Sequence, residues 1–300
     1  MFFDISQKRV YKLLYTLHIR GIYMEYRSIE INGGTLAYAE YEGTKGVIIG
    51  VHGLTGNNKQ LHYYAEQLKG EYRFISVDLR GRGNSSEATD NTGIEQHTQD
   101  IISLIDALNI QNPILMGYSM GGFIMGNVAS KRNDVKGVIL LDGAATCSDH
   151  QRKIVEPSLG RISKHYETPD AYLEEIQKIY SNLGVVWNEH MESVGRYEIA
   201  RVDDHWENKS DENKIRQDFQ SFYDYNPAEV FAEVECPVLL VHSTGGIGTM
   251  PALFLAESYI ETQQHAKNIH KITSDSNHYT LVFEERSDVN PVIKDFVKKL

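Results

Sequence analysis

The residues whose types and spacing could do chemistry are Gly117-Tyr118-Ser119-Met120-Gly121. They stand between the apolar run PILMGYS and a stretch whose Phe123, Ile124, Val128 and Ala129 share one helical face, so the serine lies on a strand-to-helix turn. A hydroxyl held on so sharp a turn projects above a sheet, and glycines flank it where side chains would collide with neighbouring backbone. The helix N-terminus brings backbone N–H groups and a positive dipole end near developing negative charge. That is the equipment of nucleophilic acyl transfer, and serine needs a base within hydrogen-bond reach to perform it. The run Asp203-Asp204-His205-Trp206-Glu207 carries metal-ligand types, but with no matching ligand pair elsewhere it reads as a solvated acidic surface. No glycine-rich loop followed by Lys-Ser or Lys-Thr is present, so neither cofactor nor metal is expected.

The elements that must position this serine follow from hydropathy. RSIEI and TLAYAEY alternate apolar and polar residues across Asn32-Gly33-Gly34, a hairpin signal that predicts an antiparallel edge. GVIIGVH, YRFISVD, PILMGYS, GVILLD and PVLLVHS are short, nearly continuous apolar runs, as in strands covered on both faces of a mostly parallel sheet. Thr92-x-x-Glu95 is read as a capping box ahead of Ile101, Ile102, Leu104, Ile105 and Leu108. After Asp142 the alternation stops until Pro237, too long for an ordinary crossover, which predicts an inserted helical cap. Within it TPDAYLEEIQKIY fits a helix that starts at Thr168 or Asp170.

Together these motifs resemble the α/β-hydrolase fold family, in its serine esterase, lipase and lactonase branches with a helical cap. The resemblance covers roughly residues 27–300 and implies an eight-stranded, mostly parallel α/β sheet with helices on both faces. The implied core is 27–142 with 236–300, the implied cap 143–235, and residues 1–26 form an extension that does not read as a signal peptide. Val51-His52-Gly53-Leu54 stands where the family has its oxyanion loop, so the backbone N–H groups of Leu54 and Met120 are the implied oxyanion hole, with His52 structural. Asp78-Leu79-Arg80-Gly81-Arg82-Gly83-Asn84-Ser85 looks like the family's structural D-x-R-G-x-G-x-S turn. His278, after the run IHKITSD, stands at the place of the catalytic base. The chain departs from the pattern at the acid: Gly246 occupies the place, after PVLLVHS, where most members have an aspartate. Asp142, at the end of the preceding strand, is the relocated acid expected here, against a Ser–His pair or an acid from the cap. His242 is expected in a buried strand.

Composition narrows the partners. The 300 residues carry 30 basic and 41 acidic side chains, a net charge of −11, which disfavours nucleic acid and anionic lipid. No apolar run is long enough to cross a bilayer. Two cysteines, Cys147 and Cys236, form no disulfide framework or zinc pattern, and a cytoplasmic protein is expected. The expected activity is hydrolysis of a carboxylic ester or lactone through an acyl-enzyme, with a small molecule as partner. A carbon–carbon bond hydrolase, a thioesterase, or a ligand-binding member without the usual acid are the alternatives. Residues 143–235 hold 19 acidic against 10 basic residues, from which neutral or weakly charged esters are expected to be preferred. Aromatic residues are dense in the same segment, and most are read as its own small core.

Overall fold

A computed structural model describes residues 12–19 and 22–300. Three strands come first, β1 (Lys12–Ile19), β2 (Ile22–Ile31) and β3 (Gly34–Tyr41). Strands and helices then alternate through β4 (Val47–Val51), α1 (His62–Leu68), β5 (Arg73–Val77), α2 (Ile94–Ala107), β6 (Ile114–Tyr118), α3 (Met120–Lys131) and β7 (Gly137–Leu141). An insertion follows, with α4 (Asp149–Leu159), β8 (His165–Tyr166), α5 (Pro169–Asn182), α6 (Glu189–Glu198), β9 (Ile199–Val202), β10 (His205–Asn208), α7 (Glu212–Gln220) and α8 (Pro227–Ala232). The chain returns through β11 (Val238–Ser243), α9 (Ile260–His265), β12 (Ile269–Ser274), α10 (Thr280–Phe283) and α11 (Asn290–Lys299).

The main sheet has the order β1-β2-β3-β5-β4-β6-β7-β11-β12. Pairings are antiparallel from β1 to β5 and parallel from there to β12, so the α/β class and the mostly parallel sheet are as the sequence predicts. The eight expected strands are β2 onward. A ninth, β1, falls within residues 1–26 and pairs with β2 in the register Lys12↔Ser28 to Ile19↔Ile22. Residues 1–11, 20 and 21 of that segment lie outside the described residues.

Every residue of β6 and β7 is buried, which explains their unbroken apolar runs. Alternate side chains feed two cores: Leu115, Val138 and Leu140 pack with α2 and α3, while Ile114, Met116, Ile139 and Leu141 pack on the other face with α1 and α11. The order reverses around β4, whose neighbours are β5 and β6. Loops leaving the C-terminal ends of β4, β6, β7, β11 and β12 therefore gather on one edge, the usual place for a ligand in an open parallel sheet.

Local signals held in one case and failed in another. The Thr168 hydroxyl caps α5 by accepting from the Ala171 N–H at 3.1 Å. The Thr92 capping box does not form: α2 starts at Ile94 behind Gly93, with no side-chain cap. Thr92 Oγ1 instead donates to Asp218 Oδ1 at 2.6 Å, because a buried carboxylate from α7 is the more demanding acceptor. The insertion combines its helices with a small antiparallel sheet of order β8-β10-β9.

The turn after β5 is bolted down by a buried ion pair. Arg80 holds Asp100 of α2 through two bonds of 2.9 and 2.8 Å, and also donates to the carbonyls of Gly33 and Asn32 in the β2–β3 hairpin. Asp100→Asn leaves the guanidinium buried and uncompensated. It is expected to lower unfolding free energy by about 3 kcal/mol, read as a lower urea midpoint at unchanged slope.

Candidate active site

Ser119 occupies the turn between β6 and α3 with φ 51° and ψ −118°, a left-handed conformation that a non-glycine residue adopts only when its surroundings impose it. Its surroundings do so by contact. A Cβ on Gly117 would come within 2.1 Å of the Gly121 carbonyl oxygen, and one on Gly121 within 2.2 Å of the Val51 carbonyl oxygen. Both flanking glycines of the motif are thus needed because helix, strand and loop backbones touch there.

The structure brings the three sequence-selected side chains into one chain of hydrogen bonds. His278 Nε2 lies 3.1 Å from Ser119 Oγ, and His278 Nδ1 lies 2.7 Å from Asp142 Oδ2. Asp142, immediately after β7, is fully buried. Its other oxygen, Oδ1, accepts from the Ser243 N–H at 3.1 Å and from the Tyr259 hydroxyl at 2.9 Å. With Asp142 accepting at Nδ1, the proton of a neutral imidazole sits on Nδ1 and Nε2 is free to accept from serine. Tyr118 Oη donates to the His278 carbonyl at 2.8 Å, and its ring packs against the imidazole at 4.8 Å. Gly246 carries no acid, and a Cβ there would approach the Met250 carbonyl oxygen to 2.7 Å.

The loop after β4 is clamped from several sides. The Gly53 N–H donates to Gln60 Oε1 at 2.8 Å, and Arg82 donates to the Leu54 carbonyl from Nε at 3.1 Å and Nη2 at 2.9 Å. Arg82 is held in turn by Asp218 of α7 at 2.6 Å, and Asp218 also meets His97 Nε2 at 3.1 Å. The turn expected to be structural therefore anchors both the loop and the insertion. Leu54 lines the cavity beside Ser119, and neither the Leu54 nor the Met120 N–H has an acceptor among the described residues. Tyr259, Gln60 and the role of Arg82 in holding Leu54 were not legible in the sequence, since each acts across many residues.

His52 bridges the loop after β4 and the turn after β5. Its Nδ1 bonds the Gly53 carbonyl at 2.7 Å and its Nε2 accepts from the Leu79 N–H at 3.1 Å. His242 is buried in β11, with Nε2 on the Phe254 carbonyl at 2.9 Å. Away from the cavity, His165, His205 and Glu207 place ligand atoms within 4.8 Å of one another, across β8 and β10. They already bond among themselves, through His205 Nε2 and His165 Nε2 to Glu207.

The site opens into a cavity of about 60 Å³. Tyr180, Phe219 and Phe222 are the aromatic residues of the insertion that line it, whereas Tyr166, Tyr172, Tyr197 and Phe231 are buried elsewhere. Most of the aromatics are thus packing.

Burial pushes the His52 imidazole down to about 3, so it stays neutral in the folded chain. An unfolded chain takes up that proton once the pH falls below the ordinary histidine value, so the stability His52 contributes at neutral pH is lost as the pH falls toward 3. His52→Gln should make the fall in unfolding free energy over this window shallower by up to about 1.4 kcal/mol per pH unit. Part of the slope remains, because His190 is held down to about 3 in the same way.

Residues 46–168 match the family described as alpha/beta hydrolase fold. Among curated relatives, the AB hydrolase superfamily protein YisY of Bacillus subtilis is 38% identical over 101 residues, 33% of this chain and 38% of its own length. The 3-hydroxybutyrate-oligomer hydrolase of Cupriavidus necator is 29% identical over 141 residues, 46% of this chain and 48% of its own. The matched parts are thus less than half of these relatives. The crystal structure of E-2-(acetamidomethylene)succinate hydrolase superposes with a TM-score of 0.80 at 19% identity, covering 92% of this chain and 99% of that one. With the sheet order and the serine turn already in place, these likenesses settle the fold: the chain has the α/β-hydrolase fold.

Proposed function

We propose that the chain is a serine hydrolase that cleaves a carboxylic ester or lactone through an acyl-enzyme. The observation that carries this reading is the continuous relay Ser119–His278–Asp142, with bonds of 3.1 and 2.7 Å, at a strained strand-to-helix turn. Ser119 Oγ attacks the carbonyl carbon while its proton passes to His278 Nε2. Asp142 holds the imidazole and stabilises the imidazolium. The N–H groups of Leu54 and Met120, which have no acceptor among the described residues, bind the oxyanion. His278 then protonates the leaving alkoxide, water enters, gives its proton to His278, and attacks the acyl-enzyme. Collapse returns that proton to Ser119 and releases the acid.

Asp142 supports an enzyme over a ligand-binding member. The empty position at Gly246 is the reason to think of a degenerate site, and the carboxylate on His278 Nδ1 supplies what Gly246 lacks. The partner is a small molecule. The cavity at Ser119 is walled in part by Gln151, Val155, Ser158 and Leu159 of α4 and Phe219 of α7. A second reading, attack on a bond other than a simple ester, is favoured by the whole-length likeness to a hydrolase named for a substituted succinate. It would use the same residues. Among the described residues no helix is long and apolar enough to cross a membrane.

A fluorophosphonate probe tests the reading directly. It should label the wild-type chain and not Ser119→Ala, and a folded wild-type chain that never labels would overturn it. On a panel of p-nitrophenyl esters of graded length, simple lactones and thioesters, Asp142→Asn should lower kcat by roughly 10³- to 10⁴-fold without changing the unfolding midpoint greatly. Near-normal turnover in that variant would remove Asp142 from the relay.

A further inference from the structure

Arg161, between α4 and β8, is a half-buried cation without a carboxylate partner among the described residues. Its Nη1 is fully buried and has no hydrogen-bond partner, and among the described residues no Asp or Glu forms an ion pair with it. Its bond from Nη2 to Thr55 Oγ1 is long, 3.4 Å. Tyr180, which hydrogen-bonds it, and Tyr279 also face the guanidinium. Glu198 acts on it only from beyond ion-pair range, and its carboxylate is occupied by the Tyr172 hydroxyl at 2.5 Å. The two fully buried arginines beside the site each have a carboxylate, Asp100 for Arg80 and Asp218 for Arg82.

A guanidinium cannot escape burial by losing its proton, so the cost of an unpaired one must be met by something that binds. Thr55, Tyr180 and Tyr279 all line the cavity that contains Ser119, and Thr55 follows Leu54 directly. We propose that Arg161 is a specificity residue that binds a carboxylate carried by the substrate, making the preferred substrate a half-ester of a short dicarboxylic acid. This deepens the hydrolase reading and rests on it.

The net charge of residues 143–235 points the other way, to neutral esters. Many of its acidic side chains are spent in exposed pairs such as Arg196 with Asp170 and Glu192, or Lys164 with Glu175. Exposed charges are screened by water and salt, whereas a guanidinium with a buried Nη1, set against the cavity-lining Thr55 and Tyr180, is screened much less. The planar five-donor fork of arginine matches a carboxylate in two parallel bonds, which is why a carboxylate is the fitting anion here.

Two measurements test this. The first compares kcat/KM for monoethyl glutarate and for its uncharged analogue ethyl valerate. Wild-type chain should favour the glutarate by roughly 10- to 100-fold, and Arg161→Ala should collapse that ratio toward one, with Arg161→Lys in between. Equal use of the two esters by wild type, or an unchanged ratio in Arg161→Ala, would overturn the proposal. The second needs no turnover: calorimetric binding of glutarate, expected for wild type and weakened at least about tenfold in Arg161→Ala. Absence of glutarate binding to wild type would also overturn it. Loss of fluorophosphonate labelling at Ser119 with glutarate binding intact would instead count against the hydrolase reading and leave the arginine site standing.

Discussion

The Asp142 carboxylate is fully buried, and its two oxygens accept from three donors: His278 Nδ1, the Ser243 N–H and the Tyr259 hydroxyl. A carboxylate taken out of water must be satisfied by hydrogen bonds, and here each donor arrives from a different part of the chain. β11 supplies Ser243, the turn before α9 supplies Tyr259, and the loop after β12 supplies His278. Satisfying that one group therefore fixes the imidazole, and the imidazole fixes which face meets Ser119. The backbone at Asp142 is itself left-handed, φ 48°, a conformation aspartate tolerates better than most residues. Position and side chain are matched to the same task.

A second constraint is the closeness of the backbones around Ser119. Gly121 rests on the Val51 carbonyl and Gly117 on the Gly121 carbonyl, so β4, β6 and α3 cannot separate without losing the turn. The same contact brings the end of β4, and hence Leu54, beside the serine. Arg82 on the Leu54 carbonyl and Gln60 on the Gly53 N–H hold the loop on its far side. Donors fixed in advance of the reaction need no reorganisation when charge develops, which is where their value in catalysis lies.

The insertion shows how net charge and local field separate. Its surplus of acid lies mostly at the surface, where pairs are screened, while Asp218 and Glu198 are buried and occupied by Arg82, His97 and Tyr172. Asp78 is similarly occupied, by Asn58, Asn84 and Tyr197 of α6, and burial still raises its carboxyl to about 6. Arg161 is left with Thr55 and Tyr180, which line the cavity. A count over 93 residues could not foresee this, because the count weighs a solvated charge and a buried one equally.

The sequence by itself determined what depends on neighbours in the chain. Apolar runs marked the strands from β3 to β11, the G-x-S-x-G spacing marked the turn, and Thr168 marked the start of α5, because each is a local preference of backbone or side chain. Asp142 and His278 were legible as candidates through motif order, but not their contact, which joins residues 136 positions apart. The tertiary structure alone decided that β1 extends the sheet, that Thr92 serves Asp218 rather than α2, and that Arg161 Nη1 is buried without a hydrogen-bond partner among the described residues. Those outcomes are set by which polar groups become buried together, and burial is a property of the packed chain, since it depends on elements brought together from distant parts of the sequence.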